Sequence, residues 1–402
     1  MSDVLVSGGG AAPSPQHLDV LIVGAGLSGI GSAYHLQQQC PGKSYAILEG
    51  AGTFGGTWRI HTFPGIRSDS DMYTFGYRFK PWNNVPVALR DDILEYLEEV
   101  IVDNGIDAHI RYQHHINSAA WSSQTKTWTL NVTRGDNGEE FLFTCDFLWM
   151  CQGYYQQAHG YTPDFKGMER FKGTIVHPQT WPDDLDYKGK KVVVIGSGAT
   201  AATIVPAMAE DAGHVTMLQR SPTFFAPAAN EIEIADTLRK IGTPEEWVHA
   251  ITRLHVLHEE QAVTDQSFED PEALKKTLID AAREYLGPDY DVETHFTPSY
   301  RPWRQRIAVL PDGDMFKGIR AGKASVVTDH IETFTEAGIL LKSGEELEAD
   351  IIVTATGFDL CVLGNIAFSI DGKPLDFADT WTYRGIMYSG CPSSYKLEQV
   401  AA

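Results

Sequence analysis

The chain is short of cysteine, short of basic residues and free of long apolar runs, and each shortage removes a class of protein. Its five cysteines, Cys40, Cys145, Cys151, Cys361 and Cys391, are odd in number, widely spaced and include no Cys-x-x-Cys pair. Neither a disulfide framework nor a zinc site is expected from that pattern, and reduced thiols in a cytoplasmic protein are the plain reading. Lys and Arg number 32 against 53 Asp and Glu, a formal net charge of −21. So acidic a surface repels nucleic acid and anionic lipid, and neither is expected as a partner. No stretch approaches the ~20 apolar residues of a membrane span, so no membrane anchor is expected. Residues 1–15 are small, polar and glycine-rich, without the basic-then-apolar order of a secretory signal.

What is present is the composition of a folded protein: 402 residues, 43% hydrophobic, enough for two or three domains of ordinary size. The apolar run Leu18-Asp19-Val20-Leu21-Ile22-Val23 reads as a buried parallel strand. It enters Gly24-Ala25-Gly26-Leu27-Ser28-Gly29 and then a helical stretch to Gln39. Gly24 permits a tight turn, Gly26 lets the backbone approach a pyrophosphate, and Gly29 lets helix and strand pack closely. The helix N-terminus then faces the phosphates with free N–H groups. A second strand ends in Glu49, about 20 residues on, where a ribose hydroxyl needs an acceptor. Strand, glycines, helix and acid together predict a dinucleotide site.

Further along, Gly55-Gly56-Thr57-Trp58 and Phe63-Pro64-Gly65-Ile66-Arg67-Ser68-Asp69 are loop chemistry. A helix is expected over residues 91–104, capped by Asp91 or Asp92 and ended by Gly105. From Ile116 to Cys151 the period switches to two, which predicts a β-meander. His114 and His115, just before it, read as a surface pair. Lys191-Val192-Val193-Val194-Ile195 then repeats the first strand pattern and runs into Gly196-Ser197-Gly198-Ala199-Thr200-Ala201. The strand after this second motif ends in Gln219-Arg220-Ser221 rather than an acid. An arginine there favours a 2′-phosphate, hence NADPH, although a solvated arginine is the bland alternative. A helical insertion is expected at about 225–300. Within Tyr300-Arg301-Pro302-Trp303-Arg304-Gln305-Arg306, three arginines are either a phosphate or oxyanion contact or a patch offsetting nearby acids.

Between the two glycine motifs, residues 171–182 read Phe-Lys-Gly-Thr-Ile-Val-His-Pro-Gln-Thr-Trp-Pro. Phe171, Gly173, His177, Trp181 and Pro182 reproduce the F-x-G-x-x-x-H-x-x-x-W-P signature, and the chain resembles the Baeyer–Villiger monooxygenases of the class B flavoprotein monooxygenases. It looks most like their ethionamide-activating branch, over about residues 18–386. The resemblance implies an α/β fold with two Rossmann-like dinucleotide-binding domains, for FAD and NADPH, plus the meander and the helical insertion. It divides the chain into 1–160, first part of the FAD domain; 161–182, a signature linker; 183–330, the NADPH domain; and 331–402, a return to the FAD domain. That return is incomplete by comparison, since family members continue well past the equivalent of Gly385 and residues 393–402 do not match the continuation.

By resemblance, FAD is held by the first glycine motif with Glu49, Thr57, Trp58, Asp69 and Ile116. NADPH is held by the second motif with Arg220, Ser221, Arg67 and Ser68. Arg306 is the active-site cation, Asp69 the acid that holds it, and Arg301 and Arg304 are less well placed. Gln305 stands where many relatives carry a lysine, which softens the expected preference for NADPH. His177 is expected to affect domain motion rather than chemistry. The implied reaction uses O2 and a flavin C4a-peroxide to insert oxygen beside a ketone carbonyl, giving an ester or lactone, with sulfides as side substrates. The alternatives are an N- or S-oxidising flavin monooxygenase, or a flavin- and NADPH-binding protein without productive oxygenation. A disulfide reductase is disfavoured because no redox cysteine pair follows the first motif.

Overall fold

The computed structural model describes residues 15–392 and the backbone of 394–396. The readings made of residues 1–14, 393 and 397–402 lie outside the described residues. The first unit begins with β1 (Gln16–Val23), α1 (Leu27–Gln39) and β2 (Tyr45–Leu48), with β1 and β2 parallel in the register Val20 to Tyr45. The short helices α2 (Thr57–Ile60) and α3 (Met72–Phe75) punctuate a long loop that leads to α4 (Arg90–Asp103). Then come β3 (Ile110–Arg111), β4 (His114–Ser122), β5 (Thr127–Arg134) and β6 (Glu140–Met150). These six strands lie in the order β4-β5-β6-β1-β2-β3. The meander is therefore not a separate layer. The early part of β6 pairs antiparallel with β5, and its later, more apolar part pairs parallel with β1.

Burial follows the pattern each pairing demands. Residues 20–23 of β1 and all of β2 are buried, as expected of parallel strands covered on both faces, whereas β5 alternates along its length. On α4, Ile93, Leu94, Leu97, Val100 and Ile101 face the core. Its cap differs from expectation: the N-cap is Leu89, whose backbone N–H donates to the Asp92 carboxylate at 3.2 Å, so Asp92 closes the turn from inside the helix. Gly105, at φ +59°, supplies the left-handed residue beyond the end.

The chain leaves the first unit through β7 (Tyr155–Gly160) and enters β8 (Thr174–Val176), β9 (Lys191–Ile195), α5 (Ala199–Met208) and β10 (His214–Gln219). Next are β11 (Phe225–Ala228), α6 (Glu233–Lys240), α7 (Glu245–Glu269), α8 (Pro271–Leu286), α9 (Val292–Phe296), β12 (Ala308–Pro311), α10 (Asp314–Arg320) and β13 (Ala324–Thr328). The hairpins β14 (Ile331–Phe334), β15 (Gly338–Leu341) and β16 (Glu346–Glu348) precede β17 (Ile351–Thr354), after which β18 (Phe358–Leu360) crosses back to β19 (Ala367–Ile370) and β20 (Lys373–Pro374). The second sheet is parallel, in the order β13-β10-β9-β17-β8.

Two expected boundaries shift. The segment 161–182 contributes β8, an edge strand of the second sheet, so it is more than a connector. The return at 331 comes later, because β17 pairs with β9 in the second sheet and contact with the first sheet resumes when β19 pairs parallel with β4. The insertion opens on a strand, with β11 parallel to β12. Its helices then hold both units: α8 buries Ile279, Ala282 and Leu286 in the second core, while Arg253 on α7 donates to the carbonyls of Tyr73 (2.6 Å) and Thr74 (2.7 Å) in the first.

Two strands cross between the units, and they pair antiparallel: β7 with β18, Gly160 opposite Phe358. His177 ties them. Its Nδ1 accepts the Gln179 N–H at 3.1 Å, which leaves the proton on Nε2, and Nε2 donates to the Gly357 carbonyl at 3.1 Å.

Candidate functional site

A cavity of about 750 Å³ lies between the two units. The first glycine turn and the first turn of α5 open onto it. From the first unit come Gly24, Gly26, Ser28, Glu49, Thr57, Trp58, Arg67, Asp69 and Ile116; from the second come Ala199, Thr200, Thr203 and Arg306. The crossing strands add Tyr155 and Phe358, and the signature stretch adds Gln179.

The first turn is shaped by glycines that have no room for a side chain. Gly24 sits at φ +96°, and a Cβ there would stand 2.7 Å from the Cys151 carbonyl oxygen. A Cβ on Gly29 would overlap the Gly24 carbonyl oxygen, so helix and turn touch backbone to backbone. Neither α1 nor α5 has a side-chain cap or an acid in its first turn. Their leading N–H groups and positive dipole ends are left for an anion. Gly198, at the N-cap of α5, faces open space. Glu49 is buried, and its two oxygens accept the N–H groups of Ala25 and Ala51, each at 2.7 Å. Burial pushes its carboxyl above the usual carboxylate range, with these two hydrogen bonds opposing.

The expected charged pair is brought together across 237 residues of sequence. Arg306 Nε stands 2.8 Å from Asp69 Oδ2, and the same guanidinium donates to the Asp69 carbonyl (3.2 Å) and to Ser70 Oγ (2.9 Å). Tyr155 lies beside the pair. Burial pushes its phenol well up, so it stays protonated across the physiological range.

Other expected residues are placed differently. Arg67 lines the cavity, yet its guanidinium ion-pairs with Asp314 on α10 at 2.5 Å and reaches the Ala202 carbonyl at 3.5 Å, tying loop to second unit. Ser68 is buried behind the wall, where it exchanges hydrogen bonds with Ala88. Arg220 and Ser221 are exposed at the end of β10, outside the cavity lining, as are Gly196, Gly198 and Ala201. The three arginines near residue 300 part company: Arg301 stacks over Phe268, 4.0 Å from the ring centre, Arg304 is exposed, and Arg306 alone enters the cavity. His114 and His115 begin β4 and line the cavity, His114 partly buried and His115 exposed. Residues absent from the expected set are His61, Gln179, Tyr155 and Phe358. No spacing rule marks them, because loops and crossing strands deliver them.

The fold thus defines a class: an α/β protein with two dinucleotide-binding units facing one cleft. Residues 18–231 match the flavin-binding monooxygenase-like family, and the chain belongs to it. It is 48% identical over 380 residues to the FAD-containing monooxygenase EthA of Mycobacterium tuberculosis, covering 94% of this chain and 77% of that protein. A probable FAD-binding monooxygenase AlmA of Acinetobacter baylyi is 44% identical, with 94% and 76% covered. Among solved structures, an oxidized steroid monooxygenase bound to NADP superposes with a TM-score of 0.78 at 26% identity, covering 95% of this chain and 80% of that one. An open cyclohexanone monooxygenase shares the fold, at TM-score 0.74 and 19% identity, with 95% and 82% covered. Among the described residues, no helix is long and apolar enough to cross a membrane.

Proposed function

We propose that the protein is an FAD-dependent, NADPH- and O2-consuming monooxygenase that inserts oxygen beside a ketone carbonyl, giving an ester or lactone, with sulfide oxidation as a side activity. The observation that carries this reading is the Arg306–Asp69 pair, 2.8 Å apart in a cavity lined by the first glycine turn and by the start of α5. The uncapped start of α1, with Gly24, Gly26, Ser28 and Gly29, fits the pyrophosphate of FAD; Glu49 fits its ribose, and Thr57, Trp58, Asp69 and Ile116 the rest. The start of α5 fits that of NADPH, and exposed Arg220 and Ser221 are the candidates for its 2′-phosphate. When bound, FAD accepts hydride from NADPH and activates O2.

The chain's own part is positioning and charge. Arg306 presents a fixed cation to an anionic oxygen developing in the cleft, and Asp69 with Ser70 Oγ holds the guanidinium so that it need not reorganise. Trp58, Phe63, Phe75 and Phe358 keep the wall apolar, which strengthens that charge interaction by excluding water. Tyr155 stays neutral and offers an O–H.

The test is a ketone and sulfide panel on flavin-loaded protein. NADPH should bleach the flavin without oxygen, and air with ketone should yield ester; Arg306→Lys should cut ester formation by about 100-fold. Absence of any flavin reduction rules out a monooxygenase. Hydrogen peroxide as the sole product with every ketone and sulfide refutes oxygen insertion, and sulfoxide without ester moves the reading to S-oxidation.

A further inference from the structure

We infer that His61 and Gln179 form a two-acceptor seat for the primary carboxamide of the nicotinamide nucleotide. The inference rests on the NADPH reading above and deepens it. Both side chains line the cavity, and both are more than nine-tenths buried, at 7% and 5% exposure. They come from different units: His61 follows α2 in the first, and Gln179 sits in the signature stretch beside β8. Phe358 connects them, directly to His61 and through His177 to the Gln179 backbone. Phe358 lies 5.3 Å from the His61 imidazole and 6.2 Å from that of His177, which accepts the Gln179 backbone N–H.

The chemistry of each free atom follows from its bonded neighbour. His61 Nδ1 stands 2.9 Å from the Thr57 carbonyl oxygen, which can only accept, so the ring proton is on Nδ1 and Nε2 is a bare acceptor. Burial holds this imidazole below the ordinary histidine range, in keeping with a neutral ring. Gln179 Nε2 donates to the Gln156 carbonyl at 2.6 Å, which fixes the amide orientation and turns Oε1 the other way. His61 Nε2 and Gln179 Oε1 are both buried and without a hydrogen-bond partner. Buried acceptors left unpaired are costly, so a ligand that donates to both is favoured. A primary carboxamide carries two N–H bonds on one nitrogen, and it is the hydrogen-bonding group of the nicotinamide ring.

Calorimetric binding to flavin-loaded protein tests this with three probes: NADP+, its 3-acetylpyridine analogue, in which methyl replaces the amide nitrogen, and 2′-phospho-ADP-ribose, which lacks the ring. The wild type should prefer NADP+ over the acetylpyridine analogue by about tenfold or more. His61→Phe and Gln179→Met should each shrink that preference severalfold while 2′-phospho-ADP-ribose binds as before, which also shows that the variants are folded. Equal binding of the two pyridine nucleotides by the wild type, or an undiminished preference in both variants, overturns the seat. Failure of all three probes to bind overturns the NADPH reading itself, and the seat with it.

Discussion

Gly160→Ala is the sharpest probe of how the two units are joined. Gly160 has no left-handed backbone, so alanine is conformationally permitted; the obstacle is that its Cβ would fall within the His177 ring. That ring is not free to step aside. It donates to the Gly357 carbonyl at 3.1 Å, accepts from the Gln179 N–H at 3.1 Å, and meets Phe358 edge-on. Displacing it forfeits two hydrogen bonds of about 1 kcal/mol each and an aromatic contact of about 0.5. Against this stands a gain of about 0.4–1 kcal/mol from a stiffer unfolded chain. The net loss is about 2 kcal/mol, which lowers the thermal midpoint by roughly 4–8 °C at the sensitivity of domains this size. The cycle with His177→Ala decides the cause. Once the ring is gone, Gly160→Ala should be neutral or slightly stabilising, a coupling of about 2–3 kcal/mol. Equal losses in both backgrounds would refute the claim that His177 fills the space over Gly160.

Two further outcomes are expected. Gly29→Ala places a methyl on the Gly24 carbonyl oxygen, so α1 must lift off the turn; the purified protein should lose most of its bound flavin and about 1–3 kcal/mol of stability, and retention of flavin at the wild-type ratio would contradict the backbone contact. The buried His61 and His249 have folded pKa values below the ordinary 6.5, chiefly through burial. Below that pH the unfolded chain takes up protons that the folded one refuses, so stability falls with acid, by up to about 1.4 kcal/mol per pH unit for each histidine, and levels off above. Thermal midpoints from pH 7.5 to 5 should show a shallower slope for His249→Gln, and an unchanged slope would remove His249 from the account.

What the sequence made legible is local. The turn at Gly24 and Gly26 with the acid at Glu49 lies within one strand–helix–strand run, and the second turn at Gly196 and Gly198 within one strand–turn–helix run, where steric rules connect residue type to backbone shape. The limits were equally physical. Arg67 reads in sequence as another loop cation, but Asp314, 247 residues away, claims it. Ser68 lies next to the acid Asp69, yet it turns into the wall and bonds with Ala88. The boundary near 331 was misplaced because a strand such as Ile351–Thr354 has the same apolar pattern whichever parallel sheet it joins.

By itself, then, the sequence determined two glycine turns, set by short-range periodicity and glycine sterics, together with an acidic composition and the family signature at residues 171–182. The tertiary structure decided that the first turn and the start of α5 line one cavity, that Arg306 meets Asp69 there, and that the signature acts as an edge strand and a clasp on the crossing strands. Those are long-range pairings. Packing selects them, and no spacing along the chain encodes which distant partner a buried charge or an imidazole will find.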